Sequence, residues 1–183
     1  MKILGIIGGM SPESTATYYT EINRLVNQKK GGNISAPIVM VSVEFEEIVQ
    51  CQKQSEWQRA GEILAEAGKK LEMIGAEGIV LATNTMHKVA PQIERALSIP
   101  FLHILDATAD AIKSRGLNKV ALLGTKFTMS DNFYRDGLIV RGITPIVPNE
   151  SAQNEIHRII FDELCVGKFY HNQKHFIWIL LNF

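Results

Sequence analysis

The amino-acid sequence predicts an α/β protein built around a parallel sheet. Short apolar runs, typical of buried strands, alternate along the chain with longer segments whose apolar residues recur at helical spacing. Several runs end in small polar residues, as strands of an open α/β sheet do at the edge where ligands bind. A chain of 183 residues, 46% hydrophobic and 21% charged, suits one compact domain or two small ones.

The composition narrows the classes of partner. Lys and Arg together number 19, as do Asp and Glu, so no net charge attracts the chain to nucleic acid or to an acidic membrane. Cys51 and Cys165 lack CxxC and metal-ligand spacing, which predicts a reducing cytoplasm. His171 and His175 stand four apart without a nearby acidic or cysteine ligand, so we expect a surface helix face and no metal. The apolar opening at 3–7 is broken by glycine too soon for a signal peptide or membrane span.

The first strand, predicted at 3–7, leads into a glycine-containing loop. Ser11 followed by Pro12 has the form of an N-cap with proline at the first helical position, which predicts a helix to about residue 28. The glycine pair at 8–9 allows a tight turn and close approach of a ligand. It does not form GxGxxG, so a dinucleotide site is not expected, and a plain strand-to-helix turn is the alternative.

The central stretch, Ile-Val-Leu-Ala-Thr-Asn-Thr-Met-His at 79–87, predicts a buried strand that breaks into a polar loop and then a helix. Thr83, Asn84 and Thr85 offer hydroxyls, an amide and free backbone N–H groups at the start of that helix. Such a cluster suits a small carboxylate. The alternative is that Thr-Asn-Thr only caps the helix.

The other elements follow from apolar periodicity and from stop and capping residues. Further strands are predicted at 37–43, which we expect to be buried, and at 99–104, 119–123 and 144–147. Helices are predicted at 56–74, 89–97, 106–114 with Asp106 as the cap, 133–141 and 154–166, with a loop or short helix at 44–54. Trp57 is expected to be a packing residue. The apolar tail at 176–183 is expected to seek burial, which predicts a homodimer.

A short similarity relates two strand-to-loop segments. Leu-Leu-Gly-Thr at 122–125, with Met-Ser at 129–130, matches Ile-Ile-Gly-Gly-Met-Ser at 6–11. The repetition suggests two similar halves that face each other across a cleft. We place them at 1–104 and 105–183.

Three motifs in the same order resemble the aspartate/glutamate racemase family and look most like its broad-specificity amino-acid racemase branch. They are Gly-Gly-Met-Ser-Pro-Glu-Ser-Thr at 8–15, Glu-Gly-Ile-Val-Leu-Ala-Thr-Asn-Thr-Met-His-Lys at 77–88 and Leu-Gly-Thr at 123–125. The resemblance covers nearly the whole chain and extends to Phe-Asp-Glu-Leu-Cys-Val-Gly at 161–167. It implies a parallel-sheet three-layer sandwich of two pseudo-symmetric racemase-like lobes.

The resemblance implies that a small amino acid or dicarboxylate is racemised by two acid/base residues on opposite faces of Cα, without pyridoxal phosphate, any other cofactor or a metal. Thr83 stands where most of the family has the first catalytic cysteine. The residues expected to hold the substrate carboxylate and ammonium are Met10, Ser11, Asn84, Thr85 and Thr125.

Two departures from the family pattern affect the expected activity. A threonine hydroxyl is far less acidic than a thiol, so Thr83 should donate a proton better than it accepts one. The Gly-Cys-Thr-Glu motif that carries the second cysteine of the family does not occur before Phe183. We therefore expect a truncated chain with an incomplete second lobe and impaired turnover. The segment after Phe45 offers no arginine to fix an aspartate side chain.

Three functions remain open at this point. The first is a cofactor-independent amino-acid racemase. The second is a non-catalytic protein that retains the carboxylate site. The third is another enzyme of the same fold, such as a decarboxylase or an isomerase that needs a single proton donor.

Overall fold

The computed structural model describes residues 1–168, and contacts group the chain into two compact units, Met1–His103 and Ile104–Phe183. The predicted apolar tail at 176–183 and the pair His171 and His175 lie outside the described residues. Each unit has its own apolar core.

The first unit is built on a four-stranded parallel sheet whose strands lie in the order Ile38–Ser42, Leu4–Gly8, Gly78–Leu81 and Phe101–Leu102. Its elements, in chain order, are β1 (Leu4–Gly8), α1 (Pro12–Lys30), β2 (Ile38–Ser42), α2 (Phe45–Lys53), α3 (Trp57–Met73), β3 (Gly78–Leu81), a 3₁₀ helix (Thr85–Val89), α4 (Ala90–Ala96) and β4 (Phe101–Leu102). The predicted parallel α/β fold is confirmed.

Helices form layers around this sheet. The chain steps outward from β1 to β2 and then returns past β1 to β3, so right-handed crossovers place α1 and α3 on opposite faces. On the α3 side, the core is formed by fully buried residues such as Ile7, Leu64 and Ile79. Trp57 packs against this core as predicted, and the Lys88 ammonium lies 4.2 Å from its ring centroid.

The second unit contains a parallel pair of short strands and four α-helices within the described chain. Its elements are α5 (Ile104–Lys113), β5 (Lys119–Ala121), α6 (Lys126–Ser130), α7 (Asn132–Val140), β6 (Thr144–Ile146), α8 (Glu150–Asp162) and a 3₁₀ helix (Leu164–Val166). Its core comprises Leu105, Ala109, Leu122, Tyr134, Leu138 and Ile143.

Three predictions about individual elements were wrong. The predicted burial of the second strand fails because β2 is the edge strand: none of its residues is buried, and Met40 is 38% exposed. Asp106 does not cap α5, because the helix begins earlier, at Ile104, and cuts the preceding strand to two residues. The last described α-helix begins at Glu150 rather than 154, capped by Asn149, whose side chain accepts from the Ala152 amide.

No helix among residues 1–168 combines the length and the apolarity that crossing a bilayer requires. Cys51 is a buried free thiol, and Cys165 is half-buried.

Candidate functional site

The loops that follow β1 and β3 begin side by side, because the two strands are paired neighbours in register, with Ile7 opposite Leu81. The Ala82 amide donates to the Ile7 carbonyl at 2.9 Å. The Ser14 hydroxyl, in the first turn of α1, donates to the Ala82 carbonyl at 3.2 Å. The structure therefore brings the predicted residues Met10 and Ser11 to the same sheet edge as the Thr-Asn-Thr segment.

Ser11 is the predicted N-cap of α1, and its hydroxyl accepts from the Ser14 amide at 3.3 Å. Thr15 closes the same loop: its hydroxyl accepts from the Gly9 amide at 2.8 Å and donates to the Ser11 carbonyl at 2.9 Å. Met10 and Ser11 are 5% and 6% exposed. The loop is thus a fixed, largely buried wall rather than a mobile flap.

Thr83 is half-buried, and its backbone is fully engaged within the loop. Its amide donates to the Leu81 carbonyl at 2.9 Å, so the prediction of a free N–H at this position was wrong. Its carbonyl oxygen lies 2.8 Å from Nδ1 of His87. Within residues 1–168 its hydroxyl makes no hydrogen bond, which leaves that group available to a ligand.

Asn84 and Thr85 differ in exposure: Asn84 is exposed, whereas Thr85 is 4% exposed. Asn84 precedes the 3₁₀ helix but its side chain does not cap that helix. This counts against the alternative in which Thr-Asn-Thr serves only as a helix cap.

His87 is a site residue that sequence reasoning missed. It is 3% exposed, with ring centroids 4.8 Å from His103 and 5.7 Å from Phe101. A carbonyl oxygen can only accept, so Nδ1 of His87 carries the hydrogen that it donates to Thr83. Burial, and then His103, lower the pKa of His87 to about 4. The imidazole is therefore neutral at pH 7.

Gln52 is a second residue that the sequence did not reveal. Its side chain is 6% exposed and donates from Nε2 to the sulfur of Met86 at 3.0 Å. Its Oε1 is buried without a hydrogen-bond partner among the described residues. A buried amide with an unused acceptor is uncommon in folded proteins.

Thr125 belongs to the second unit, where it follows β5. It caps α6, accepting from the Thr128 amide at 3.3 Å. The next amide, that of Lys126, donates to Nδ1 of His157 at 3.2 Å. Burial, and then Lys126, lower the pKa of His157, with Asp162 acting in the opposite sense.

The buried thiol of Cys51 is held in its protonated form. Burial, followed by the charges of Glu56 and Glu47, raises the pKa of Cys51, so this residue remains a thiol. Arg59, on α3, pairs with Glu47 at 3.2 Å on the surface. No group of three His, Cys, Asp or Glu side chains within residues 1–168 could hold a metal ion.

Comparison with known proteins gives a consistent result. The sequence profile of the family described as Asp/Glu/hydantoin racemase matches residues 7–170. The broad specificity amino-acid racemase RacX of Bacillus subtilis is 25% identical over 160 residues, which are 86% of this chain and 69% of RacX.

Solved structures agree with this match. A Yersinia pestis protein assigned as an Asp/Glu racemase is 46% identical with a TM-score of 0.89, covering 100% of this chain and 80% of its own. An aspartate racemase homologue from Pyrococcus horikoshii is 38% identical with a TM-score of 0.81, covering 98% and 78%. An aspartate racemase from Picrophilus torridus, at 24% identity and a TM-score of 0.74, shares the fold over 100% of this chain and 75% of its own.

The family match spans most of the chain, and the same parallel α/β fold recurs in these solved relatives. The chain therefore belongs to the Asp/Glu/hydantoin racemase family, a family of isomerases.

Proposed function

We propose that this chain is a broad-specificity amino-acid racemase that moves a proton at the substrate Cα through Thr83, without pyridoxal phosphate or metal. The observation that carries the proposal is the half-buried hydroxyl of Thr83, which makes no hydrogen bond to any residue of 1–168 and lies at the carboxyl end of β3. Ligands of open α/β sheets bind at this edge.

The remaining site residues are assigned by their positions and chemistry. Met10 and Ser11 form the wall after β1, and Asn84 and Thr85 follow Thr83 directly. We propose that these residues, together with Thr125 of the second unit, hold the carboxylate and ammonium of the substrate.

Thr83 is proposed as a proton donor. A hydroxyl has a far higher pKa than a thiol, so returning a proton to a Cα carbanion is easier for it than removing one. Residues 1–183 contain no Gly-Cys-Thr-Glu segment, the family source of the second acid/base group. Water must therefore remove the Cα proton from the opposite face before Thr83 returns one, so we expect this polypeptide by itself to turn over slowly.

The reaction is tested with L-homoserine, L-glutamate and L-aspartate in D₂O, following Cα–H by NMR and chirality by chromatography. D-enantiomer labelled at Cα establishes racemisation. Binding without exchange would instead favour the non-catalytic amino-acid-binding protein, and release of CO₂ would favour a decarboxylase.

The role of Thr83 is tested with a matched pair of variants. Thr83→Val has nearly the same shape but no hydroxyl, and should lower the exchange rate by about 10²- to 10⁴-fold with little change in substrate affinity. Thr83→Ser keeps the hydroxyl and should retain most of the rate. Equal rates in the two variants would exclude the hydroxyl as the proton carrier.

Further proposals concern the location, the oligomeric state and the partners of the protein. We propose a cytoplasmic homodimer, with two racemase-like lobes at 1–104 and 105–183, that acts in D-amino-acid metabolism and has no nucleic-acid or membrane partner. The balance of 19 basic and 19 acidic residues supports the last point. Light scattering at tens of micromolar, on the order at which moderate interfaces form, tests the dimer. A monomer under these conditions would exclude it.

A further inference from the structure

The backbone of Thr83 is fixed by two hydrogen bonds of different origin. Its amide is held within the turn by the Leu81 carbonyl at 2.9 Å. Its carbonyl is held by a side chain, Nδ1 of His87, at 2.8 Å. Removing the imidazole would therefore release the Thr83 carbonyl, while the hydrogen bond from the Thr83 amide to the Leu81 carbonyl would remain.

His87 contacts the loop through both its backbone and its ring. The backbone amide of His87 donates to the Asn84 carbonyl at 3.1 Å, while the ring donates to the carbonyl of Thr83. The ring is 3% exposed and lies against His103 and Phe101, so its orientation is determined by packing. His87 thus connects the loop to the rigid end of the sheet.

The direction of the Thr83 hydroxyl depends on this backbone. Threonine is branched at Cβ and has few accessible χ1 rotamers, so the backbone conformation largely decides where Oγ1 points. A misplacement of about 1 Å at a reacting group can cost on the order of 10²-fold in rate. A contact that fixes the Thr83 peptide therefore also fixes the path of the transferred proton.

We propose that His87, as the neutral Nδ1–H tautomer, is a positioning residue that aims the Thr83 hydroxyl at the substrate Cα. The inference rests on the proposed function, since it assigns His87 a role only if Thr83 carries the proton. His87 itself touches neither substrate nor transferred proton in this scheme.

Three variants of the full chain test the contact. His87→Leu removes the donor at similar volume. His87→Asn places an N–H near the position of Nδ1 and should restore the hydrogen bond to the Thr83 carbonyl. Phe101→Leu is the packing control, because it disturbs a ring beside His87 but leaves the donor in place. Circular dichroism and thermal melting verify that each variant folds.

The readout is Cα–H exchange in D₂O on the amino acid that the wild-type chain processes fastest. His87→Leu should lower kcat by about 10- to 100-fold, as loss of supporting hydrogen bonds does at other sites, with KM changed less than about threefold. His87→Asn should recover most of kcat, and Phe101→Leu should stay within about threefold of wild type.

Other results would overturn the inference. Equal losses in His87→Leu and Phe101→Leu, or an Asn variant no better than Leu, would mean that the ring only packs. A wild-type kcat in His87→Leu would overturn the inference but not the proposed function, whereas a wild-type chain without exchange would overturn both. Nitrogen NMR of the imidazole provides a readout independent of activity: a hydrogen on Nε2 instead of Nδ1 would exclude the contact.

Discussion

The loop after β1 and the loop after β5 share the same local design. In each, a glycine at or shortly after the end of the strand lies against a buried threonine from the next helix. A Cβ added at Gly8 would lie 2.4 Å from Cγ2 of Thr15, and one added at Gly124 would lie 3.0 Å from Cγ2 of Thr128. In each, a hydroxyl residue, Ser11 or Thr125, caps that helix.

The two loops differ in what surrounds this design. The first follows a strand inside a four-stranded sheet and has an additional glycine, Gly9, pressed against the backbone of Val43. The second follows a strand of a two-stranded pair, and its neighbours are side chains. The shared sequence motif therefore sets the turn, whereas the surrounding backbone decides how far the turn can adjust.

The loops after β3 and β5 use imidazoles with opposite proton arrangements. His87 donates from Nδ1 to the carbonyl of Thr83, and His157 accepts at Nδ1 from the amide of Lys126. Protonation leaves the first hydrogen bond possible but places a charge in a buried site. Protonation removes the second hydrogen bond outright.

The largest expected effect is the difference in stability lost when a glycine of each loop is replaced by alanine. Gly9 has φ of 97°, and an added Cβ would lie 2.4 Å from the Val43 carbonyl oxygen. Gly9→Ala should therefore lower the free energy of unfolding by roughly 3–4 kcal/mol. Gly124→Ala, opposed only by side-chain atoms at 3.0 Å, should cost about 1 kcal/mol. Urea unfolding measures both, and equal losses would contradict the comparison.

The next effect is the acid response of His87. Its folded-state pKa of about 4 lies below its ordinary value of 6.5, so between these values the unfolded chain binds a proton that the folded chain does not. This contribution to stability is complete above pH 6.5 and is lost as pH falls towards 4, by about 3 kcal/mol. His87→Leu should remove this part of the pH dependence in urea unfolding from pH 7 to 4. If the free energy of unfolding changed equally with pH in the wild type and the variant, His87 would not be the source of this acid response.

Smaller effects are expected from the caps. Ser11→Ala should destabilise the chain by about 1 kcal/mol and Thr125→Ala by about half as much, since the helix after Thr125 has only five residues. Ser11→Thr and Thr125→Ser retain the capping hydroxyl and serve as controls. A larger fall in melting temperature for Thr125→Ala than for Ser11→Ala would contradict this order.

The smallest effect is local and concerns His157. Its pKa is lowered, so the hydrogen bond from the Lys126 amide is intact above pH 6.5 and is lost as pH falls below it. The amide NMR signal of Lys126 should move with this titration. His157→Asn offers a non-titrating acceptor near Nδ1, and the same movement in that variant would show that His157 is not its cause.

Much of the fold was predictable from local patterns. The strands at β1, β3 and β5, the cap at Ser11 and the parallel arrangement follow from apolar runs and turn residues. The exposure of β2 was not predictable, because an edge strand and a central strand of Val and Ile look alike in one sequence. The short helix α6 was missed because five residues are too few for a periodic pattern.

The hydroxyl residues of the site could be predicted from the sequence, but the buried residues that contact them could not. Thr83 and Ser11 stand at strand ends, where position along the chain already indicates a role. His87 and Gln52 owe their roles to burial and to partners brought close by folding. A single histidine among apolar residues has no spacing that distinguishes a support from a packing residue.

The hydrogen bond from Ser14 to the Ala82 carbonyl also constrains the order in which the molecule folds. Ser11 and Thr15 can form their contacts as soon as the first turn of α1 exists, because both lie within a few residues. Ser14 must wait for a partner 68 residues further along the chain. Contacts of such separation form late, after the entropy of closing the intervening loop has been overcome. The sheet edge that carries Thr83 is therefore completed only when β3 docks beside β1, and a nascent chain that ends before Ala82 has half of this edge.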